Sequence, residues 1–323
     1  MKNLNFAICQ DNNIWDTFVG TSPQGSIFCE SRFLSISDPN CERWILYKND
    51  SPIAAIPVNV SPADSNSFSY YQGPLYAHQM GQMSHYRRYK WIQEINQVFF
   101  PELVSRYSKF SLSMHYSIQD VRSFDWFNYH QPQHGRFKIS PKYTALVDLN
   151  SLSNFDELIP LVKKKRRQDR RISIERGIVV EESDDIGIIQ ELYRMTYTKQ
   201  GLDEPKGIID EISLVGESSF RHGFGEMIVA RDGSGMPLSA QLTFYDNASA
   251  HAIVAANHPE YQSMGGGTII AFEFIKRALN KGLKWADFNG ANSPDRADFK
   301  HSLNAFPQLY FTADFESLKK DLN

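Results

Sequence analysis

Apolar and polar residues recur at two periods along this chain, and the switches between them mark out its elements. In the C-terminal half, "NFDELIPLVKKKRRQDRRISIER" (154–176) reads as a helix ended by Gly177, followed by the strand "IVVEE". "DIGIIQELYRMTYTKQ" (185–200) carries apolar residues at helical spacing. "GEMIVARDGSGMPLSAQLTFYD" (225–246) predicts two strands about an Asp-Gly-Ser-Gly turn, hence a hairpin. "ASAHAIVAANH" (248–258) is another strand, and the helix "TIIAFEFIKRALNKG" stops at Gly282. "LKWADFNGA" (283–291) and "FPQLYFTADF" (306–315) are the last two strands.

The first half repeats this order. "CERWILYKNDSPIAAIPVNV" (41–60) parallels 225–244 as strand, polar turn and strand. "FSYYQGPLYAHQMGQ" follows, then a helix through "SHYRRYKWIQEINQVFF" and the strand "KFSLSMHYS" (109–117). "KYTALVDL" (142–149) closes the half. The pattern predicts an α/β (α+β) chain of two tandem units, 1–150 and 151–323, with the boundary near Asn150.

Composition narrows the classes. The 323 residues are 41% hydrophobic and 22% charged, with 22 Phe and 15 Tyr, enough for sizeable cores. A net charge of −3 argues against a general nucleic-acid binder. Three cysteines, Cys9, Cys29 and Cys41, form no CxxC pair, which fits a reducing cytoplasm better than a disulfide or zinc scaffold. No run reaches the length of a membrane span, and neither HxxxH nor a carboxylate cluster suggests a metal.

Between the strand 248–258 and its helix lies "YQSMGGGTII" (261–270). Gln262, Gly265 and Gly267 fit Gln/Arg-x-x-Gly-x-Gly, with Ser263, Met264 and Gly266 between them. Glycines before a helix start let successive N–H groups reach one phosphate, where the helix dipole adds attraction. Thr268 is placed to cap the helix or to donate to a phosphate oxygen. The stretch matches neither the P-loop nor GxGxxG. A slack connection is the other reading.

Strand, QxxGxG, helix, then a strand ending "DFNGAN" resembles the acyl-CoA-binding core of the GNAT N-acyltransferase superfamily. The tail "WADFNGANSPDRADFKHSLNAF" is similar to the end of the FemAB-like branch, whose chains carry two GNAT-like units. The likeness covers residues 154–315, and the first half only through the repeated order. It implies two tandem GNAT-like units, each a mixed, largely antiparallel sheet flanked by helices. The first is degenerate and on the acceptor side, because "QGPLYAHQMGQ" lacks QxxGxG; the second holds acyl-CoA as co-substrate. Bridge-building FemAB enzymes use aminoacyl-tRNA and need no CoA loop, so the intact loop implies acyl-CoA as donor. The acceptor implied is the amine of a nucleotide-linked amino sugar (dTDP- or UDP-) used in O-antigen, lipopolysaccharide or other surface glycans. Alternatives are an aminoacyl-tRNA-dependent transferase acting on a peptidoglycan precursor and a non-catalytic CoA- or nucleotide-binding module. Homo-oligomerisation is left open.

Thioester aminolysis needs a neutral amine and a stabilised oxyanion. In a GNAT-like fold the oxyanion donor is an N–H where strand 248–258 splays from strand 283–291. The resemblance places Lys300, after Phe299, at the transfer site, and Tyr310 as proton donor to the leaving thiolate. Asp287 and Asn289 share a strand face and are placed to orient the amine or the pantetheine arm. For a general base the chain offers His115, His251, His258 or water. In "KKKRRQDRR", Lys163, Arg166, Arg167 and Arg170 share one helix face, either a solvated surface or a phosphate site. Tyr71, in "FSYYQGPLY", is a candidate for stacking on the acceptor; Tyr70 and Tyr71 face opposite ways if extended.

Overall fold

The computed structural model describes residues 3–59, 68–199 and 201–317. Val60, at the end of the first hairpin segment, and Gln200, at the end of the segment 185–200, lie outside the described residues. The chain forms two compact units, Met1–Lys142 with Leu309–Asn323, and Tyr143–Gln308.

In the first unit, β1 (Leu4–Ile8), β2 (Glu42–Lys48), β3 (Ser51–Val58) and β4 (Leu75–Tyr76) form an antiparallel sheet in that order. The tight β2–β3 turn relies on Asn49 at φ +53°, a conformation that asparagine tolerates. Helix α1 (Asn12–Thr21) starts where the Asp11 carboxylate accepts the N–H groups of Asn13 and Ile14. After α2 (Ser31–Ser37), the long α3 (His85–Arg106) buries one stripe, Ile95, Phe99, Phe100 and Leu103, against Trp44, Leu46 and Ile56. Strand β5 (Lys109–Ser113) and the short α4 (Arg122–Asp125) complete this part.

The chain passes into the second unit within β6 (Phe137–Asp148). A helix expected over 154–176 begins only at Lys164, as α5 (Lys164–Glu175). Pro160 and the Asn154 cap turn the preceding residues into two 3-10 turns, Phe155–Glu157 and Ile159–Leu161. Then come β7 (Val179–Glu182), α6 (Ile186–Lys199), α7 (Ile208–Arg221), β8 (Gly225–Arg231), β9 (Pro237–Tyr245), β10 (Ser249–Asn257), α8 (Gly266–Asn280), β11 (Trp285–Asp287) and α9 (Pro294–His301). Helix α7 has no counterpart among the elements read from sequence. The sheet order is β6-β11-β10-β9-β8-β7, antiparallel except for the parallel pair β10–β11.

The last strand, β12 (Phe306–Glu316), returns to the first unit, where Thr312–Glu316 pair with Lys109–Ser113 of β5. In the second unit the matching place beside β11 is taken by β6. Strand β6, from the first half of the chain, thus pairs in the second unit's sheet, and β12, from the second half, pairs with β5 of the first unit. Both units run hairpin, third strand, helix and strand: β2-β3-β4-α3-β5 and β8-β9-β10-α8-β11. The fold is α/β: an antiparallel sheet in the first unit and a mixed, largely antiparallel one in the second, flanked by helices.

In the second unit α8 covers one sheet face, with Ala271, Phe274 and Ile275 over Ala250, Ala252 and Ala286. Helix α7 lies on the other, its Gly216 close to Leu242 and its Ser219 against Gly225. Phe244 shares that face and pairs with His251, which pairs with Asp287. Directly opposed residues share a face, so these two polar side chains lie on the α7 side.

Phe100 is 2% exposed and touches the rings of Phe124, Phe127 and Phe137. Replacing it by alanine removes those contacts and leaves a cavity, and should cost about 3–5 kcal/mol in urea unfolding.

Candidate functional site

The glycine loop is tight, not slack. Gln262–Met264 form one 3-10 turn, and Gly265, at φ +87°, is the N-cap of α8. A Cβ on Gly265 would stand 2.3 Å from the Ser173 hydroxyl oxygen of α5. One on Gly266 would meet the Leu238 Cβ at 3.0 Å, and one on Gly267 the Asn257 Oδ1 at 2.4 Å. The three glycines thus let the helix start sit close against α5, β9 and the end of β10, with Gly265 the most constrained of them.

Helix α5 also pins the turn. Arg176 donates to the Ser263 carbonyl at 2.8 Å, and the single Ser173 hydroxyl proton is shared between the Asp169 carbonyl of its own helix (2.8 Å) and the Met264 carbonyl (3.2 Å). Gln262 and Ser263 are exposed, and Met264 is half-buried. Thr268 is buried in the first turn, and Gly265, not Thr268, is the cap. The N–H groups of Thr268 and Ile269 bond back to the Gly265 carbonyl. Those of Gly266 and Gly267 find no acceptor among the described residues, as expected for the first two positions of a helix. They are the donors this loop offers to an anion.

The basic helix divides. Arg166 is held by Ser302 (2.9 Å) and Asp169 (3.2 Å) and stacks on Phe299 at 4.7 Å. Arg170 lies over the rings of Phe155 and Phe272. Arg167 and Lys163 remain exposed, Lys163 within 3.8 Å of Asp298. The shared face read from sequence is thus half committed to packing.

Beside this loop, β10 and β11 part company. They pair from Ser249/Trp285 to His251/Asp287, where β11 ends, while β10 runs on to Asn257. The β10–β9 register also shifts between Ala252 and Val254. Strand β11 stops because Asn289 turns the chain at φ +51°, so Asp287 and Asn289 do not continue one extended strand. The Asn289 side chain donates to the Ala252 carbonyl at 2.9 Å, at the fork. Its Oδ1 is buried without a partner among the described residues, a penalty of about 1–3 kcal/mol that the surrounding structure sustains.

At the root of the fork lies a buried charge cluster. His251, 1% exposed, sits between Asp246 Oδ2 (2.9 Å from Nε2) and Asp287 Oδ2 (3.3 Å from Nδ1). Burial alone would depress the imidazole pKa, but the two carboxylates outweigh it and raise it to about 9. His251 is therefore a cation at neutral pH and unsuited to accept a proton. Burial would raise the Asp246 pKa, but its bonds to His251 and to the N–H groups of Ala248 and Ser249 leave it lowered. Asp287 Oδ1 accepts from the Thr144 hydroxyl and, at 2.8 Å, from the Asn289 N–H. Both Asp287 oxygens are thus engaged inside the protein.

Lys300, on α9, donates to the carbonyls of Asn289 (2.6 Å) and Gly290 (2.7 Å). An ammonium has three protons, so one remains for another acceptor. Desolvation lowers its pKa to about 8, with Asp287 pulling upward and Arg296 downward. His258, half-buried at the end of β10, packs on Tyr261 at 4.6 Å.

The remaining candidates gather in the first unit. Tyr71, 1% exposed at φ +53°, contacts His115 (5.4 Å), Tyr116 (5.5 Å) and Tyr310 (5.4 Å) edge-on. The backbone at Tyr71 is therefore not extended, and its ring is packed among these neighbours. Tyr310, on β12, is 5% exposed. His115 lies beyond the end of β5, and its Nδ1 receives the Ser117 N–H at 3.2 Å. Asp246 and Arg296 are site residues that no sequence motif announces; they meet the others only through the fold.

Residues 161–301 match the family model of the acetyltransferase (GNAT) domain. No curated protein sequence matches the chain significantly. Among solved structures, FemX superposes with a TM-score of 0.66 at 12% identity, covering 95% of this chain and 96% of that one. A tandem GNAT protein from the clavulanic acid biosynthesis pathway gives 0.56 at 10% identity, covering 98% and 99%. L-PGS from Bacillus licheniformis gives 0.50 at 10%, covering 97% and 93%.

Two outcomes follow from the geometry. Gly265→Ala forces an alanine to φ +87° against Ser173 and should destabilise the chain by about 1–3 kcal/mol in urea unfolding, without any ligand. The His251 pKa is raised on folding, so its contribution is complete below about pH 6.5 and lost as pH rises through about 9. Lys300, lowered on folding, acts oppositely between about pH 8 and 10.4. Wild-type stability should thus fall between pH 6.5 and 8, and His251→Gln should flatten that slope.

With an acetyltransferase (GNAT) domain match over residues 161–301 and tandem GNAT structures aligned along its whole length, the chain has a GNAT/FemAB-like fold.

Proposed function

We propose that the chain is an acyl-CoA-dependent N-acyltransferase, in which the second unit holds the acyl-CoA and an amine attacks its thioester directly. The observation that carries this reading is the α8 start, where the Gly266 and Gly267 N–H groups lack protein acceptors beside the β10–β11 fork. A pyrophosphate at the helix N-terminus would accept from both, with the dipole favouring its charge. Exposed Arg167 and Lys163 add positive charge on the neighbouring helix.

The amine nitrogen attacks the carbonyl carbon, the N–C bond forms and the C–S bond breaks. The amine loses a proton and the thiolate gains one. The third Lys300 proton is available to the developing oxyanion. Tyr310 is the candidate donor to the thiolate, and water is left as the base. His251 is excluded from that role by its charge. The acceptor we favour is the amino group of a nucleotide-linked sugar.

The exposed cations of α5 also favour a second reading, an aminoacyl-tRNA donor. The two separate in a thiol-release assay with an acyl-CoA series and dTDP- or UDP-linked amino sugars. Ribonuclease-insensitive release that depends on the sugar supports acyl-CoA transfer. Product from aminoacyl-tRNA alone overturns it, and CoA binding without product from any amine indicates a binding module. Lys300→Met should lower kcat by about 10²–10³ with a smaller change in KM.

A further inference from the structure

We infer that His251 is a positioning residue for the transfer site: its buried imidazolium fixes Asp287, and Asp287 fixes the Asn289–Gly290 turn on which Lys300 is seated. The inference rests on the proposed role of Lys300 but can be tested without substrate. Two distances define the link. Asp287 Oδ1 takes the Asn289 N–H at 2.8 Å, and the carbonyl of the same residue takes the Lys300 ammonium at 2.6 Å. Asn289 is held at both ends in a left-handed conformation, φ +51°, which asparagine accommodates at a turn.

The charges explain why an imidazolium is required. Asp246 and Asp287 bring two negative charges to a largely buried setting, against the positive charges of His251 and Lys300 and, acting on Lys300, of Arg296. With a neutral side chain in place of His251, both carboxylates would lose the cation that lies between them. Each element around the cluster supplies one part. Asp246 comes from the β9–β10 turn and Asp287 from β11. From β6 comes the uncharged Thr144, and from α9 come Lys300 and Arg296, the latter also within electrostatic range of Tyr193 on α6. His251 therefore acts at a distance, through Asp287, on the proton that Lys300 carries.

Two substitutions should move Lys300 in opposite directions. In His251→Gln the uncompensated Asp287 holds the lysine proton more tightly, so Lys300 should titrate about one pH unit or more above its wild-type midpoint. In Asp287→Asn the attraction is lost while Asp246 still holds His251, so the midpoint should fall below the wild-type one. NMR titration of 13Cε-labelled lysine in the full chain reads both, with Lys300→Met identifying the resonance and circular dichroism confirming the fold. Loss of structure would expose Lys300 and raise its midpoint in both variants. A common upward shift therefore overturns the inference, and so does an unchanged midpoint in folded His251→Gln. If His251→Gln does not fold, Asp287→Asn decides alone: a fall supports the coupling, and no change or a rise overturns it. Failure of acyl transfer in the thiol-release assay would leave this titration unaffected, so the two claims fail separately.

Discussion

A helix can aim its N-terminus at a ligand only if something holds that end rigidly, and here three glycines allow it. Gly265, at φ +87°, lets α8 start against Ser173, and Gly266 and Gly267 bring it close to Leu238 and Asn257. Ser173 and Arg176 then fasten the preceding turn from α5. The entropy cost of three successive glycines is offset by this close seating, which orients the two N–H groups without help from a ligand. The loop is preorganised in the sense that matters for binding: little ordering is left for the bound state.

The same economy holds at the strand fork. Strand β11 is three residues long, yet it closes a charge cluster, ends the β10 pairing and launches the turn carrying Asn289. An ion cluster of this kind is expensive to desolvate, and apolar packing would stabilise a sheet more cheaply. Its retention at the fork is understandable if the cluster sets geometry and charge for the proposed chemistry. The unpartnered Asn289 oxygen and the left-handed turn belong to the same locally strained region.

Much of the second unit was legible in the sequence because its signals are local. The Asp-Gly-Ser-Gly turn, the helical spacing of α6 and α8, and QxxGxG each span a few residues. Helix α7 was harder to see. Gly216, Ser218 and Ser219 are poor helix formers, present because α7 packs closely on the sheet. Pro160 shortened α5 in a way that charge periodicity alone conceals. The pairings of β6 with β11 and of β12 with β5 are long-range and have no local signature. Asp246, His251 and Asp287 lie in three separate segments, so only the fold brings them together, and the commitment of both Asp287 oxygens is equally invisible in a motif.

The central claim is that the α8 start binds the pyrophosphate of CoA, and the backbone amide resonances of Gly266 and Gly267 report on it directly. Substituting these glycines is a weaker test, because a Cβ there collides with the protein itself. Titrating the labelled chain with CoA should shift both amides downfield and saturably, with dephosphorylated pantetheine leaving them in place. Amides that do not move at saturating CoA, or that move equally with pantetheine, would contradict the claim.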